Sequence, residues 1–292
     1  MITPYSKFKK KEDVKLLLAS NDFIYSICDN VLFIMKHCID IDKENYLIVN
    51  SNQATILGLF NKQFRLFSHF VDCYKSNKME ICFILQRIIY EAFIKMLYLI
   101  KKGVSVQKQY RENSYRNRLD FYENTDNAQH GYFKIRNKKF ILDLEEEGLS
   151  IEDIKKSKKP FPPMTKLIEE LEEYNKKEKE NNSKFYNSLY GIPSDPIHSD
   201  WGEIRQLYLE KGKNFNEYYV EVNKIIEGHY RYLIPFTEIM IESTSNYINW
   251  INPIFDLNTF RLLLSELKRI TILIMQCVFD EYNAEDSKYM YE

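Results

Sequence analysis

The sequence predicts an all-α fold, a helical bundle with long antiparallel helices and no significant sheet. Apolar residues recur at helical spacing through most of the chain. The 292 residues include only eight glycines and eight prolines, and no Asn-Gly or Asp-Gly pair joins two alternating runs as in a β-hairpin. With 45% hydrophobic residues, the chain can bury a substantial core.

Composition restricts the class of protein. The formal net charge of −1 gives no overall positive charge for binding nucleic acid, although a local basic patch can still do so. The five cysteines are scattered singly, without the spacing of a zinc site, so we expect reduced thiols, no metal and no cofactor. The N-terminal basic residues lead into an amphipathic helix instead of a secretory signal, which favours a cytoplasmic protein.

Residues 1–52 are predicted to form an N-terminal helix and a connector. Apolar positions at helical spacing indicate one long helix from Val14 to about Cys38. After the connector, Ser51 or Asn52 is predicted to cap the next helix.

The bundle core is predicted to span residues 53–250, with a polar, charge-rich excursion at about 104–184. A helix from Gln53 to Tyr74 is followed by a tight turn and by an apolar helix from Met79 to Ile100. Because apolar residues lie on nearly every face of this second helix, we expect it to be buried on most sides. The charges near its middle exclude a membrane span.

Arg87 and Glu91 interrupt that apolar helix at i,i+4 spacing, on one stripe with Glu80 and Tyr98. An unpaired buried charge is costly, so Arg87 and Glu91 must reach solvent or satisfy each other. Two interpretations stay open. The pair is structural and holds a neighbouring element, or Arg87 lines a cleft and binds an anion such as phosphate while Glu91 fixes its orientation.

The polar excursion opens with residues 107–124, where arginines are interleaved with tyrosines and phenylalanines. This pattern is typical of an amphipathic helix with half-buried rings, and it also suits contact with nucleic acid. Further along, Ser150 and Asp153 have the spacing of a capped helix start. The charged run at 164–180 predicts a helix with a solvated face.

A second landmark is FYNSLYGIPSDPIHSDWGEI, residues 185–204. Tyr190 lies on a helix that ends directly after it, and His198 follows on a short, proline-bounded loop with Ser194 and Asp195 nearby. A carboxylate bonded to one ring nitrogen would set the tautomer of His198 and leave the other nitrogen for acid–base chemistry. Alternatively, the imidazole bonds loop carbonyls and simply fastens the connector.

The C-terminal part is predicted to be helical throughout. The Asn214-x-x-Glu217 pattern predicts the start of one helix, which runs through Tyr218. Another helix is expected from Tyr230 to Ile248, and Pro235 bends or restarts it. Residues 251–292 form a strongly apolar closing helix, which must pack on the bundle or on a partner. A second copy of the chain is one such partner, so we expect a homo-oligomer.

The stretches RIIYEAFIKMLYL and YGIPSDPIHSD together resemble an uncharacterised bacterial helical family known as domain of unknown function 5677. The resemblance covers about residues 55–245. It implies that one site contains Arg87, Glu91, Tyr190, Ser194 and His198. Members are similar to proteins found beside defence and abortive-infection genes, and their bundle resembles HEPN domains.

HEPN ribonucleases carry an Arg-x4-6-His motif, and this chain departs from it. Only three residues separate Arg65 from His69, so we interpret that pair as surface residues. The departure argues against metal-independent RNA cleavage by the usual HEPN route.

Two hypotheses about function follow. In the first, the protein is an effector of anti-phage defence that hydrolyses a phosphodiester or nucleotide, with His198 moving the proton, Arg87 neutralising phosphate charge and Glu91 holding Arg87. The substrate-binding residues would be Tyr190, Ser194 and Asp195. In the second, the chain is a non-catalytic helical partner or scaffold module. The first hypothesis implies nucleic acid or a nucleotide as ligand, and either one admits a companion protein; neither involves a membrane.

Overall fold

A computed structural model describes residues 5–40, 50–126, 130–156, 160–177, 209–211, 218–220, 228–253 and 257–289. These residues are almost entirely helical, which confirms the predicted all-α class. The helices are α1 (Lys11–Lys15), α2 (Asp22–Ile39), α3 (Ser51–Lys75), α4 (Met79–Lys102), α5 (Val104–Ser114), α6 (Arg116–Thr125), α7 (Gly131–Glu146), α8 (Ile151–Lys156), α9 (Met164–Lys177), α10 (Tyr230–Ile251) and α11 (Asn258–Tyr289).

The predicted single helix from Val14 to Cys38 is wrong, because the chain breaks at Ser20 and Asn21. A 3-10 turn, Leu16–Ala19, extends α1, and Ser20 then adopts extended backbone with φ −130° and ψ 156°. Short polar side chains compete with helical hydrogen bonds, so Ser and Asn suit such a break. The two helical segments meet at a bend of 107°.

Helices α3 and α4 form the hairpin that the sequence predicts. Asn77 makes the turn with a left-handed backbone, φ 53°, which asparagine adopts more readily than most residues. The amide of Lys78 donates to the carbonyl of Cys73 at 2.9 Å, and the amide of Ser76 donates to that of Asp72 at 3.1 Å. These bonds satisfy carbonyls that the end of α3 would leave without a partner.

The N-cap of α3 is Asn50, so the predicted cap at Ser51 or Asn52 is wrong. Asn50 has the extended backbone of an N-cap, with φ −69° and ψ 161°. Its side-chain oxygen accepts the amide of Gln53 at 3.0 Å.

The main core lies between α2, α3, α4, α10 and α11. Phe60 stacks on Tyr247 with ring centroids 3.9 Å apart. Phe70 packs against Phe236 at 5.8 Å, and all four rings are buried. Aromatic contacts of this kind join α3 to α10 through the centre of the bundle.

One polar side chain inside this core is fully satisfied. Gln63 donates to the carbonyl of Leu59 at 3.2 Å and contacts the sulfur of Met96 at 3.4 Å. Its oxygen accepts the hydroxyl of Ser243 at 2.7 Å. The amide therefore links α3 to α4 and α10 without leaving a buried group unpaired.

A smaller cluster forms where α6, α7 and α8 meet, and we name these three helices the α6–α8 lobe. Its buried residues are Leu119, Phe140, Leu144 and Ile154. The predicted capping box begins α8: the amide of Asp153 donates to Ser150 Oγ at 3.1 Å, and the amide of Ser150 donates to Asp153 Oδ2 at 2.9 Å.

Arg111 on α5 joins the α6–α8 lobe to the bundle. Its Nε donates to Glu147, directly after α7, at 2.9 Å, and its Nη1 donates to Asn52 on α3 at 2.9 Å. Only 13% of the Arg111 side chain is exposed, so these charge-assisted bonds are partly shielded from water.

The C-terminal helices close the bundle. Helix α10 runs through Pro235 without ending, and α11 packs on α10, α1 and α2. The helix predicted through Tyr218 is wrong, because Tyr218–Val220 is a strand (β2) paired antiparallel with Leu209–Lys211 (β1). Aromatic and β-branched residues such as Tyr-Tyr-Val favour strand backbone.

In the part of the chain that the structure describes, no single helix has the length and apolarity of a membrane span. The segments Lys11–Ala19 and Asp22–Ile39 pass that test only when taken together across their bend.

Candidate functional site

The first candidate site is an ion-paired stripe on α4. Arg87 Nε donates to Glu91 Oε1 at 2.8 Å, one helical turn away. On the next turn, Lys95 Nζ lies 3.6 Å from Glu91 Oε2. Among the described residues, two cations therefore share one carboxylate, and we name these three residues the α4 triad.

The α4 triad lies at the edge of the core. The exposed fraction of the side chain is 15% for Arg87, 33% for Glu91 and 32% for Lys95. Arg87 is thus the most buried side chain of the three, and its bond to Glu91 orients the guanidinium. This pairing is common to the structural and the anion-binding interpretations.

Tyr98 was predicted to lie on the same stripe as Arg87 and Glu91, but its hydroxyl bonds a residue of α9 instead. It is buried, and its hydroxyl donates to Glu170 Oε2 on α9 at 2.9 Å. Burial, helped by this bond, raises the pKa of Tyr98 above its ordinary value. Lys102, 2.6 Å from Glu170, lowers the pKa of that carboxyl. Tyr98 therefore fastens α4 to α9.

The other predicted site residues are outside the described ranges. They are Tyr190, Ser194, Asp195 and His198. Their approach to Arg87 stays a prediction.

Burial makes three of the cysteines poor nucleophiles. Burial raises the pKa of the Cys28, Cys38 and Cys82 thiols to about 12, so they stay protonated at neutral pH. All five cysteines are free thiols. Among the described side chains, no group of three or more His, Cys, Asp or Glu residues could hold a metal ion.

A second candidate site is a groove of about 620 Å³ between α6 and α7, which we name the α6–α7 groove. It is lined by Asn117, Arg118, Phe121, Tyr132, Arg136, Lys139, Phe140 and Asp143. The residues from α6 belong to the basic and aromatic stretch at 107–124 that the sequence singles out. The residues from α7 were missed, although their helical spacing is visible in the sequence.

Arg136 and Arg118 are held over aromatic rings in the α6–α7 groove. The Arg136 guanidinium lies 4.4 Å from the centroid of Phe121, and its Nη1 donates to the hydroxyl of Tyr132 at 3.0 Å. Arg118 lies 5.6 Å from the centroid of Phe140 and forms an ion pair with Asp143. Cation–π contacts and hydrogen bonds therefore order both guanidinium groups.

The fold defines a class, the all-α bundle proteins, and the α4 triad lies on the central helix of this bundle. Within that class, the model of the Family of unknown function (DUF5677) matches residues 53–217, more than half of the chain. The chain belongs to this family, and the resemblance drawn from its motifs is confirmed. No curated protein and no solved structure gives a significant match.

Proposed function

We propose that this protein is a helical effector of bacterial anti-phage defence that acts on a phosphodiester or a nucleotide. The observation that supports this proposal is the α4 triad, in which Arg87 and Lys95 surround Glu91 on a helix that is mostly apolar. A guanidinium held in place by a carboxylate suits recognition of phosphate. The defence context comes from the proteins that the family's members resemble.

The chemical roles follow from the charges and from the YGIPSDPIHSD motif. His198 moves the proton, Arg87 neutralises charge on the phosphate and Glu91 orients Arg87. Tyr190, Ser194 and Asp195 bind the substrate beside His198. Lys95 adds a second positive charge at the edge of the α4 triad.

The proposal is tested by expressing the wild-type chain, His198→Ala and Arg87→Ala in bacteria and measuring growth, RNA integrity and nucleotide levels. We expect the wild type to arrest growth with loss of RNA or nucleotides, and both variants to abolish the arrest. Arg261→Ala is the matched control, because Arg261 is exposed on α11, and it should act as the wild type does. Circular dichroism checks that each variant folds.

If folded His198→Ala and Arg87→Ala behave like the wild type, the assigned catalytic site is wrong. Arg87→Lys adds a finer comparison, because lysine keeps the charge but loses the planar fork of donors. Partial arrest by that variant is the expected result if Arg87 binds phosphate.

A second candidate function is a non-catalytic partner or scaffold module. The observation that favours it is a set of large apolar side chains exposed on α11. The exposed fraction is 74% for Leu262, 43% for Ile272 and 59% for Phe279. A second copy or a companion protein could cover them. Growth arrest that depends on His198 would argue against this alternative.

A further inference from the structure

The α7 side of the α6–α7 groove is one face of a helix. Tyr132, Arg136, Lys139 and Asp143 recur at helical spacing, and all four line the groove. Lys138 is the next residue to Lys139, but it points to another face, because each helical residue turns by about 100°. Helix α7 therefore directs only part of its positive charge into the groove.

The groove keeps positive charge that no described carboxylate neutralises. Arg118 is balanced by its ion pair with Asp143. Among the described residues, neither Arg136 nor Lys139 has a carboxylate within 4.0 Å. In a chain with a net charge of −1, this local excess of cations favours an anionic ligand.

The same groove also presents flat surfaces. Tyr132 is 53% exposed at its rim, and the Arg136 guanidinium lies over Phe121. Nucleic-acid bases stack on aromatic rings and on guanidinium planes. An acidic peptide would use the cations but would have little use for the exposed ring.

We propose that the α6–α7 groove binds single-stranded nucleic acid. Lys139 and Arg136 contact phosphates, and a base stacks on Tyr132. The groove volume of about 620 Å³ lies within the range of small-ligand sites, so the groove admits a nucleotide unit while the strand continues outside it. A duplex fits less well, because its bases already stack on one another.

This inference goes beyond the proposed function and does not depend on it. The groove lies on α6 and α7, whereas the α4 triad lies on α4. The test of the groove measures binding of nucleic acid and not its cleavage. The groove proposal and the proposed function can therefore fail independently of each other.

The test uses the full chain and fluorescence anisotropy with short labelled oligouridine and oligothymidine at about 0.15 M salt, where screening limits long-range charge effects. We expect both probes to bind, with an association constant that falls as salt rises. Lys139→Glu and Arg136→Ala should weaken binding. Each lost phosphate contact should reduce the slope of log K against log salt by about 0.7.

The stacking contact has its own variants. Tyr132→Ala should weaken binding by about fivefold or more without changing the salt slope, whereas Tyr132→Phe should retain most of the affinity, because a phenyl ring still stacks. Tyr132, Arg136 and Lys139 are all exposed, so the variants should fold, and circular dichroism verifies it.

Lys138→Glu is the matched control, with the same charge change one residue away on another face. It should weaken binding much less than Lys139→Glu. Equal losses from both variants would overturn the proposal, because they would show attraction by net charge alone. Absence of binding would overturn it too, as would equal affinity for a duplex or displacement of the probe by polyglutamate at similar concentration.

Discussion

The bundle and the α6–α8 lobe differ in the size of the hydrophobic core that stabilises them. The bundle buries aromatic and aliphatic side chains from α1, α2, α3, α4, α9, α10 and α11, whereas only four hydrophobic residues are buried in the described part of the lobe. A large core can carry a partly buried ion pair such as Arg87 with Glu91. A small core cannot cover its own aromatic rings, so Tyr132 stays at the surface, where a ligand can reach it. The difference separates a rigid scaffold from a surface available for recognition.

The largest effect in this comparison is expected from Phe70→Ala in the bundle. Phe70 is fully buried and contacts Phe67, Tyr74 and Phe236. Truncating such a ring should lower the free energy of unfolding by about 3–5 kcal/mol. Urea denaturation followed by circular dichroism measures the loss.

Phe279→Ala is the control for this prediction, since that ring is exposed on α11. It should change the free energy of unfolding by about 0.5 kcal/mol or less. A similar loss in both variants would mean that the burial of Phe70 does not govern stability.

A smaller and more local effect is expected from Phe140→Ala in the α6–α8 lobe. Phe140 packs beside Tyr122, Tyr115 and the guanidinium of Arg118. Its loss should speed hydrogen exchange in α6, α7 and α8 while leaving α4 and α10 protected. Hydrogen exchange read by mass spectrometry tests this. Equal acceleration in every helix would show that the two regions unfold as one unit.

The smallest effect is expected from Glu238→Gln on α10. Burial raises the pKa of Glu238 above its ordinary value, so the folded state holds the proton more tightly than the unfolded state does. At neutral pH, ionised Glu238 therefore lowers stability, and the variant should be more stable than the wild type. The gain should fade as pH falls through the raised pKa and vanish below about 4.3. Urea titrations across this pH range measure it.

Asp153→Asn is the opposite case in the lobe. The Ser150 hydroxyl and amide lower the pKa of Asp153, so its ionised form stabilises the start of α8. That contribution is present above the ordinary pKa of an aspartate and disappears as pH falls through the lowered one. Asparagine should therefore reduce protection of α8 at neutral pH. If Glu238→Gln and Asp153→Asn both raised or both lowered stability at neutral pH, the contrast between these two carboxyl groups would be contradicted.

The sequence predicts what depends on local pattern. Helix α3 follows from its apolar periodicity, α4 follows from a long apolar run, and their turn follows from Ser76 and Asn77. The break at Ser20 was missed because apolar residues at helical spacing continue on both sides of it. The strand at Tyr218–Val220 was missed because the Asn214-x-x-Glu217 pattern imitates a helix start.

The candidate sites also divide into one that depends on local spacing along a helix and one that depends on tertiary packing. Arg87 with Glu91 is predictable because both lie on one helix, and the i,i+4 spacing also reaches Lys95, which was not singled out. The α6–α7 groove needs two helices packed together, so the partnership of Arg118 with Asp143 depends on tertiary structure. The role of His198 stays a prediction.

Arg269 on α11 donates to the backbone carbonyls of Tyr5 and Phe8. Phe8 lies 261 residues before Arg269 in the chain, and Tyr5 lies 264 residues before it. On the ribosome, the segment that contains Tyr5 and Val14 is therefore synthesised long before α11, on which it docks. The side chains of Tyr5 and Val14, which are buried in the folded protein, stay exposed until α11 has been made. Docking of this segment therefore has to follow the synthesis of α11, and a nascent chain that stalls before α11 leaves the buried side chains of the segment exposed to chaperones and proteases.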